Sequence, residues 1–445
     1  MNYIVLAIPV FLGMILVEVL AAWWQRRGDV YRLDDSIGDL SCGIVDQIAD
    51  AFMKTALFWG YLTLYERARA FSIPFAAWSW AACFLGVDFL YYWFHRKSHE
   101  VNAFWAAHVV HHQSEEYNLT VALRQSAFQG AVSWIFYLPL ALLGFAPAMF
   151  LTCVSLNTLY QFWIHTRLVG RLGPLEAVFS TPSNHRVHHG RNPKYIDRNH
   201  GGVLIVWDRI FGSYAPEEEE PVYGITTPLR SFNPVWANLA YGVELARKAA
   251  RVTRVSDALR YLAARPGWNP QELGGFVGAP EVDSASYRKF EVETPPGLRA
   301  YAFAQFLPSL LGVWALLSAQ DRLPRAELLG WSALAVVSLV SISGLLERRR
   351  WALALECARV PALALLAGSM LPAAGAAPVV GLALAAAALL AWLLRYREIF
   401  FPREAPARAG SASPTAEPAA GDRLSAPRSL RRGRRAAGTD SSPGS

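Results

Sequence analysis

Long apolar runs, separated by short charged stretches, fill most of the 445-residue chain. Residues 3–24 (YIVLAIPVFLGMILVEVLAAWW) form the first run. A helix needs about 20 apolar residues to cross a bilayer, so this run predicts a transmembrane span. No basic region precedes it and no small-residue cleavage site follows, so it reads as a retained span rather than a removed signal. QRRGDVYR comes next, and the positive-inside rule places that end in the cytoplasm. Residues 43–65 are apolar but interrupted by Asp46, Asp50 and Lys54, which fits either a span facing other helices or an interfacial helix. Residues 72–94 predict a span ending at FLYYWFH. Residues 127–165 are almost wholly apolar around a GFAP break at 144–147, long enough for a hairpin of two spans. A hairpin returns the chain to the side it left, so the polar segments before and after it share one membrane face.

Residues 166–298 are polar, with Pro and Gly punctuation and an amphipathic helix around 235–263, and predict a soluble cap and connector. Four more apolar runs lie near 301–319, 328–346, 352–371 and 375–395, the third interrupted by Glu356 and Arg359. ERRR (347–350) and RYRE (395–398) follow the second and fourth, which favours a cytoplasmic C-terminus. The expected fold class is therefore all-α: a multi-pass transmembrane helical bundle with a cytoplasmic histidine-box metal cap. Its divisions are residues 1–70 (transmembrane or interfacial helices), 71–230 (catalytic domain), 231–298 (connector), 299–400 (transmembrane helices) and 401–445. The last stretch, rich in Pro, Ala, Ser, Gly and Arg, cannot build a core and is expected to be disordered.

Composition agrees. The chain is 53% hydrophobic and only 17% charged, against about 25% charged in soluble domains. The tail from Arg403 holds eight Arg and four acids, so it supplies +4 of the +7 net charge. Without aromatic interleaving this suits solvation or contact with anionic lipid rather than nucleic acid. The cysteines, Cys42, Cys83, Cys153 and Cys357, are scattered without a CxxC pair and read as small buried hydrophobes.

The histidines change the picture. All ten lie between His95 and His200. They form HRKSH (His95, His99), HVVHH (His108, His111, His112) and HRVHH (His185, His188, His189), with His165 and His200 alone. On a helix, residues three and four apart share a face, so each box aims neighbouring imidazoles into one volume. Imidazole is a common ligand for iron and zinc, and eight box histidines suffice for two metals with about four ligands each. Nothing structural demands HxxHH twice. Asp88, Tyr92, His95 and His99 line one helix face, so Asp88 either orients an imidazole or ties two helices together. Asn157, Gln161 and His165 form a second polar stripe that aims His165 at the metals, with its role as a ligand left open. His200, in DRNHGG, reads as a surface histidine. Glu100, Glu115 and Glu116 either offset metal charge, relay protons or remain surface charge.

HxxxH, HxxHH and HxxHH among apolar spans resemble the fatty acid hydroxylase / sterol desaturase superfamily of membrane di-iron oxygenases, from about residue 80 to 215. Three stretches, 93–126, 184–214 and 220–234 (EPVYGITTPLRSFNP), are more narrowly similar to the alkylglycerol monooxygenase family. The resemblance implies two irons held by the eight box histidines of the 71–230 domain. The residues themselves offer His165 as a further candidate ligand, and Asp88 and Glu100 as candidate catalytic carboxylates. It implies O2-dependent hydroxylation of the ether-linked carbon of an alkylglycerol lipid, with tetrahydrobiopterin as reductant and fatty aldehyde as product. The partner that regenerates the reductant is left open. The alternative is a fatty acyl or sterol hydroxylase or desaturase on the same centre. A zinc hydrolase is disfavoured because no Glu sits between the box histidines as general base, and a metal transporter because the histidines do not thread several spans.

Overall fold

The computed structural model describes residues 3–370 and 376–401. The tail expected to be disordered lies outside the described residues, apart from Phe401. The described chain is helical, and its β-pairing is limited to two isolated bridges, Phe179 to Leu204 and Gly190 to Tyr223. The helices are α1 (Tyr3–Trp24), α2 (Leu33–Ala68), α3 (Ala77–Glu100), α4 (Asn102–His112), α5 (Leu119–Ala122), α6 (Gln129–Leu143), α7 (Pro147–Trp163), α8 (Pro182–His188), α9 (Val206–Ile210), α10 (Pro234–Ala249), α11 (Val255–Ala263), α12 (Pro296–Ala319), α13 (Arg325–Leu346), α14 (Arg350–Ser369), α15 (Ala376–Leu394) and α16 (Arg397–Phe400).

Five of them, α1, α12, α13, α14 and α15, are long and apolar enough to cross a membrane. Residues 72–94 and 127–165, expected to add spans, add none to this set. α3 has the length, but its tryptophans, its tyrosines and Asp88 dilute its apolar character. α6 and α7 have 15 and 17 residues, which rise about 22 and 26 Å and fall short of a hydrocarbon core of roughly 30 Å. The hairpin itself forms. It turns at Gly144, whose φ of 100° lies in the left-handed region, and a Cβ there would meet the Phe71 carbonyl oxygen at 2.0 Å. Only glycine fits that turn.

α2 runs on to 36 residues, well beyond the apolar stretch at 43–65. It serves two cores. Tyr61 joins Cys83, Val87, Tyr137, Leu140 and Met149 of α3, α6 and α7. Ile37, Ile44 and Ile48 join Phe306, Leu339 and Ile342 of α12 and α13. The polar start of α2 and the loops at both ends of the C-terminal bundle meet on one side. Arg299 pairs with Asp34 at 3.1 Å, Glu347 accepts from Ser231 and the Phe232 N–H, and the Trp392 indole donates to the Gly297 carbonyl. The four cysteines are unpaired, three of them fully buried.

Glu356 and Arg359 interrupt an apolar helix, yet neither is left alone. Arg359 donates to both Glu356 oxygens and to Gln305, and Glu356 also accepts from Tyr301 and Ser341. The pair therefore fastens α14 to α12 and α13. Breaking one side of such a buried pair costs about 3–5 kcal/mol. Arg359→Met is expected to lower the unfolding temperature in detergent sharply, and the double variant Glu356→Gln, Arg359→Met to restore part of it. A single variant as stable as the parent would remove the fastening role.

Candidate metal centre

Each box sits where a helix ends. His95 and His99 occupy the last turns of α3, His108, His111 and His112 the last turn of α4, and His185 and His188 lie on α8 with His189 capping it. α8 begins at Pro182, with the Thr181 side chain accepting from the Asn184 N–H, so the turn is capped before the histidines appear. The three boxes converge, and with His165 they sort into two groups. The first is His95, His99, His108, His112 and His188, and the second is His111, His165, His185 and His189. Every one is buried, and the ligand-capable atoms of each group lie within 4.8 Å of one another. The groups adjoin: the His112 and His189 rings stack at 4.4 Å. His165 therefore joins the second group, beside His111 and His185.

Hydrogen bonds set which nitrogen faces inward. His95 Nδ1 lies 2.8 Å from the His200 carbonyl oxygen, His111 Nδ1 3.0 Å from that of Arg124, His165 Nδ1 2.7 Å from that of Gln161, and His188 Nδ1 2.9 Å from that of Arg198. His108 Nδ1 bonds the Gln129 amide oxygen at 2.9 Å. A carbonyl oxygen only accepts, so in each ring the proton is on Nδ1, and a neutral ring then carries a bare Nε2. The bare Nε2 atoms of His111 and His165 face each other at 3.2 Å, while His112 Nε2 lies 3.2 Å from those of His108 and His188, and His185 Nε2 lies 3.0 Å from that of His165. The Nε2 atoms of His95, His99 and His189 have no hydrogen-bond partner at all.

Lone pairs cannot face lone pairs at 3 Å without a cation between them. Metal–nitrogen bonds of about 2.1 Å put neighbouring ligand nitrogens about 3.0–3.4 Å apart, for octahedral to tetrahedral angles, which matches the spacing observed. The residues fit a metal in each group. Protonation is a poor substitute, because burial, reinforced by neighbouring imidazoles, holds His112, His188 and His189 well below the ordinary histidine range. Burial likewise lowers His108 to about 3. Neither group includes a carboxylate. Neutral donors leave a bound ion's charge largely uncancelled, so it stays electrophilic.

The two carboxylates expected to be catalytic make no hydrogen bond to a histidine. Asp88 is fully buried and accepts from Asn157 Nδ2, the Val203 and Leu204 N–H groups and Trp207 Nε1, at 2.7–3.1 Å. It ties α3 to α7 and to the 203–207 segment. Its four donors occupy the oxygens that would otherwise reach an imidazole. Glu100 points away from the centre, paired with Arg96, Lys97 and Arg265. Glu115 and Glu116 are buried rather than at the surface. They hold the 287–290 segment through Tyr287, the Phe290 N–H and Lys289.

His200 is not a surface residue either. It is 1% exposed, its ring lies 5.1 Å from His99 and 5.6 Å from His95, and its Nδ1 lacks a partner. Asp208 fixes its position by accepting from the His200 and Gly201 N–H groups. Sequence reasoning missed Asp208, Gln129 and Tyr117. Tyr117 stands 5.1 Å from His189 and 5.7 Å from His165.

Asp88 yields a direct test. Asp88→Leu strands four donors, those of Asn157 and Val203 buried and those of Leu204 and Trp207 partly so, and a buried donor left unpaired costs about 1–3 kcal/mol. The variant is expected to lose at least several degrees of thermal stability and to bind less metal, although Asp88 touches no metal ligand. Unchanged metal content would break the link between this strut and the centre.

Comparisons with known proteins bear on the same residues. The fatty acid hydroxylase family model matches residues 80–213, which contain all ten histidines. An alkylglycerol monooxygenase from Danio rerio is 40% identical over 370 residues, covering 82% of each chain. That of Homo sapiens is 38% identical over 361 residues, covering 80% of this chain and 81% of the relative. An ornithine lipid hydroxylase from Rhizobium tropici is 29% identical over 216 residues, 46% of this chain and 63% of that one. No solved structure matches. With its helices, its paired histidine groups and this similarity over four-fifths of its length, the chain belongs to the alkylglycerol monooxygenase family, integral membrane oxidoreductases that act on lipids.

Proposed function

We propose that the chain is a di-iron monooxygenase that hydroxylates the ether-linked carbon of alkylglycerol lipids, with tetrahydrobiopterin as reductant. The observation that carries this is the pair of buried all-histidine groups, five residues in one and four in the other. The iron ligands would be His95, His99, His108, His112 and His188, and His111, His165, His185 and His189. Iron bound there supplies the electron transfer to O2 that activates it. One oxygen atom enters the C–H bond and the other leaves as water, taking two electrons from the pterin and two protons. The ether oxygen weakens the adjacent C–H bond, and the hemiacetal formed separates into aldehyde and glycerol.

The protein's own groups prepare the centre. The carbonyls of Arg124, Gln161, Arg198 and His200 hold the Nδ1 protons and keep Nε2 free. Trp105 packs 4.8 Å from His99 and 5.3 Å from His112, and Tyr117 packs against His165 and His189, which keeps water from the groups. Desaturation or hydroxylation of an acyl chain or sterol remains the second reading, since both would use the same histidines. A hydrolase is disfavoured, because Glu100, Glu115 and Glu116 are all engaged in ion pairs or hydrogen bonds away from the histidines.

Purified protein is expected to carry about two irons, and His111→Ala or His165→Ala to lower that count toward one. Membranes given alkylglycerol, O2 and tetrahydrobiopterin are expected to release fatty aldehyde. Iron-loaded protein that yields a hydroxylated or desaturated acyl lipid instead would move the substrate to the second reading.

We place the cap in the cytoplasm. The warrant is that Arg26, Arg27, Arg348, Arg349 and Arg350 follow the ends of α1 and α13 on the cap side, and positive loops stay inside. A single cysteine introduced at exposed Glu218 is expected to react with an impermeant maleimide only after cells are opened. Labelling of intact cells would reverse the orientation.

A further inference from the structure

The stretch 220–234 supplies no histidine to either group, yet its Tyr223 is packed close to them. Tyr223 is 6% exposed, and its hydroxyl has no hydrogen-bond partner. Its ring stacks on Tyr117 at 4.8 Å, and Tyr117 in turn stands 5.1 Å from His189. Tyr223 is among the residues that line an open cleft of about 370 Å³, and no histidine lines it. Four arginines (Arg27, Arg167, Arg171 and Arg186) and the acidic run Glu217–Glu220 form its other walls.

Most of these charges are already matched. Arg186 pairs with Glu217 at 2.7 Å, Arg167 with Glu220 at 2.6 Å, and Lys194 with Glu218 and Glu219. Arg27 pairs with Asp29. Arg171 is exposed and has no ion pair or side-chain hydrogen bond among the described residues. The unmatched groups are thus a guanidinium and a buried phenol, both donors. Donors of that kind suit an anionic oxygen cluster, and guanidinium suits phosphate in particular.

The cavity's place in the fold says where that phosphate comes from. Arg27 stands three residues beyond Trp24, the last residue of a candidate membrane span, where Trp23 and Trp24 are 79% and 81% exposed. Exposed tryptophans at the end of a span mark the headgroup level of a bilayer. Just after Arg171, Leu175, Val178 and Phe179 are also exposed. We propose that this cavity holds the phosphate-bearing headgroup of a membrane lipid, with Arg171 and the Tyr223 hydroxyl as its contacts. The carboxylates of the acidic run then face the hydroxyl or ammonium groups that accompany the phosphate. This is a lipid site separate from the oxidation centre. The Tyr223–Tyr117 pair stands between them, and the site does not depend on which lipid is oxidised.

The test uses the full chain in detergent and native mass spectrometry. Dioctanoyl phosphatidylethanolamine, dioctanoyl phosphatidylglycerol, dioctanoylglycerol and inorganic phosphate are titrated separately. The parent protein is expected to retain one phospholipid and to bind dioctanoylglycerol far more weakly. Arg171→Gln and Tyr223→Phe should each weaken phospholipid binding, by about tenfold for the loss of a charge-assisted bond. Metal content equal to the parent's shows that the variants are folded. Phospholipid affinity unchanged in both variants, or dioctanoylglycerol bound as tightly, overturns the proposal. Inorganic phosphate binding as tightly as the phospholipids, with the same dependence on Arg171, overturns the lipid assignment and makes the site one for free phosphate. None of these outcomes bears on the iron count or the aldehyde assay.

Discussion

Nitrogen lone pairs buried face to face are the constraint on which the rest of the structure turns. An unpaired buried polar atom costs about 1–3 kcal/mol, and folded proteins have only about 5–15 kcal/mol in all. The unpartnered Nε2 atoms of His95, His99 and His189, with the facing pair of His111 and His165, would therefore consume much of that margin without a cation to meet them. The same repulsion explains why the ligands come from so many elements. α3, α4, α7 and α8 each end at the centre, and no one of them could hold its histidines in place alone. The carbonyls that fix the rings come from still other segments, at Arg124, Arg198 and His200. Metal bound there would make occupation of the centre and folding of the cap one event.

A site assembled from helix ends needs struts, and these are polar groups buried for position. Asp88 joins α3, α7 and the 203–207 segment, and Asn157 and Gln161 carry the connection down α7 to His165. Asp208 holds the loop that presents the His200 carbonyl. Arg124 reaches Asp39 on α2, the Val110 carbonyl and Gln113, while its own carbonyl accepts from His111. α2 thereby ties the centre to the C-terminal bundle. Backbone fit matters as much as charge here: a Cβ at Gly43 of α2 would meet the Leu123 carbonyl oxygen at 2.2 Å, next to Arg124.

Much of this was legible in the sequence, for physical reasons. Histidine spacing at three and four residues has one reading on a helix, so the three boxes named the centre before any geometry did. The stripe of Asn157, Gln161 and His165 predicted where His165 would point. Apolar runs found α1 and the C-terminal spans, because a bilayer demands length. What the pattern could not show is backbone chemistry. The carbonyls that orient the rings belong to any residue type, and so leave no mark. His200 was misplaced for that reason: a histidine beside two glycines looks like surface loop until Asp208 is seen to fold that loop inward. For Asp88, helix periodicity gave its direction but left two readings open, and its four donors favour the one in which it ties helices together.

The spans at 72–94 and 127–165 show the limit of hydropathy in the other direction. These segments pack against one another through Cys83, Val87, Leu140, Met149 and Cys153, while Trp78, Leu85, Ile135 and Leu156 stay exposed on their outer faces. A helix buried in protein and a helix buried in lipid can present similar composition, and here length sets α6 and α7 apart while polar and aromatic content sets α3 apart. α6 and α7 are too short to cross a full bilayer, yet α7 ends at the centre and its C-terminal turn leads into His165. Were this short hairpin seated in the bilayer, it would bring the histidine groups close to the hydrocarbon boundary. An oxidation centre for a chain that cannot leave the membrane has to sit within reach of that boundary, while the polar end of the lipid stays at the level of the cap.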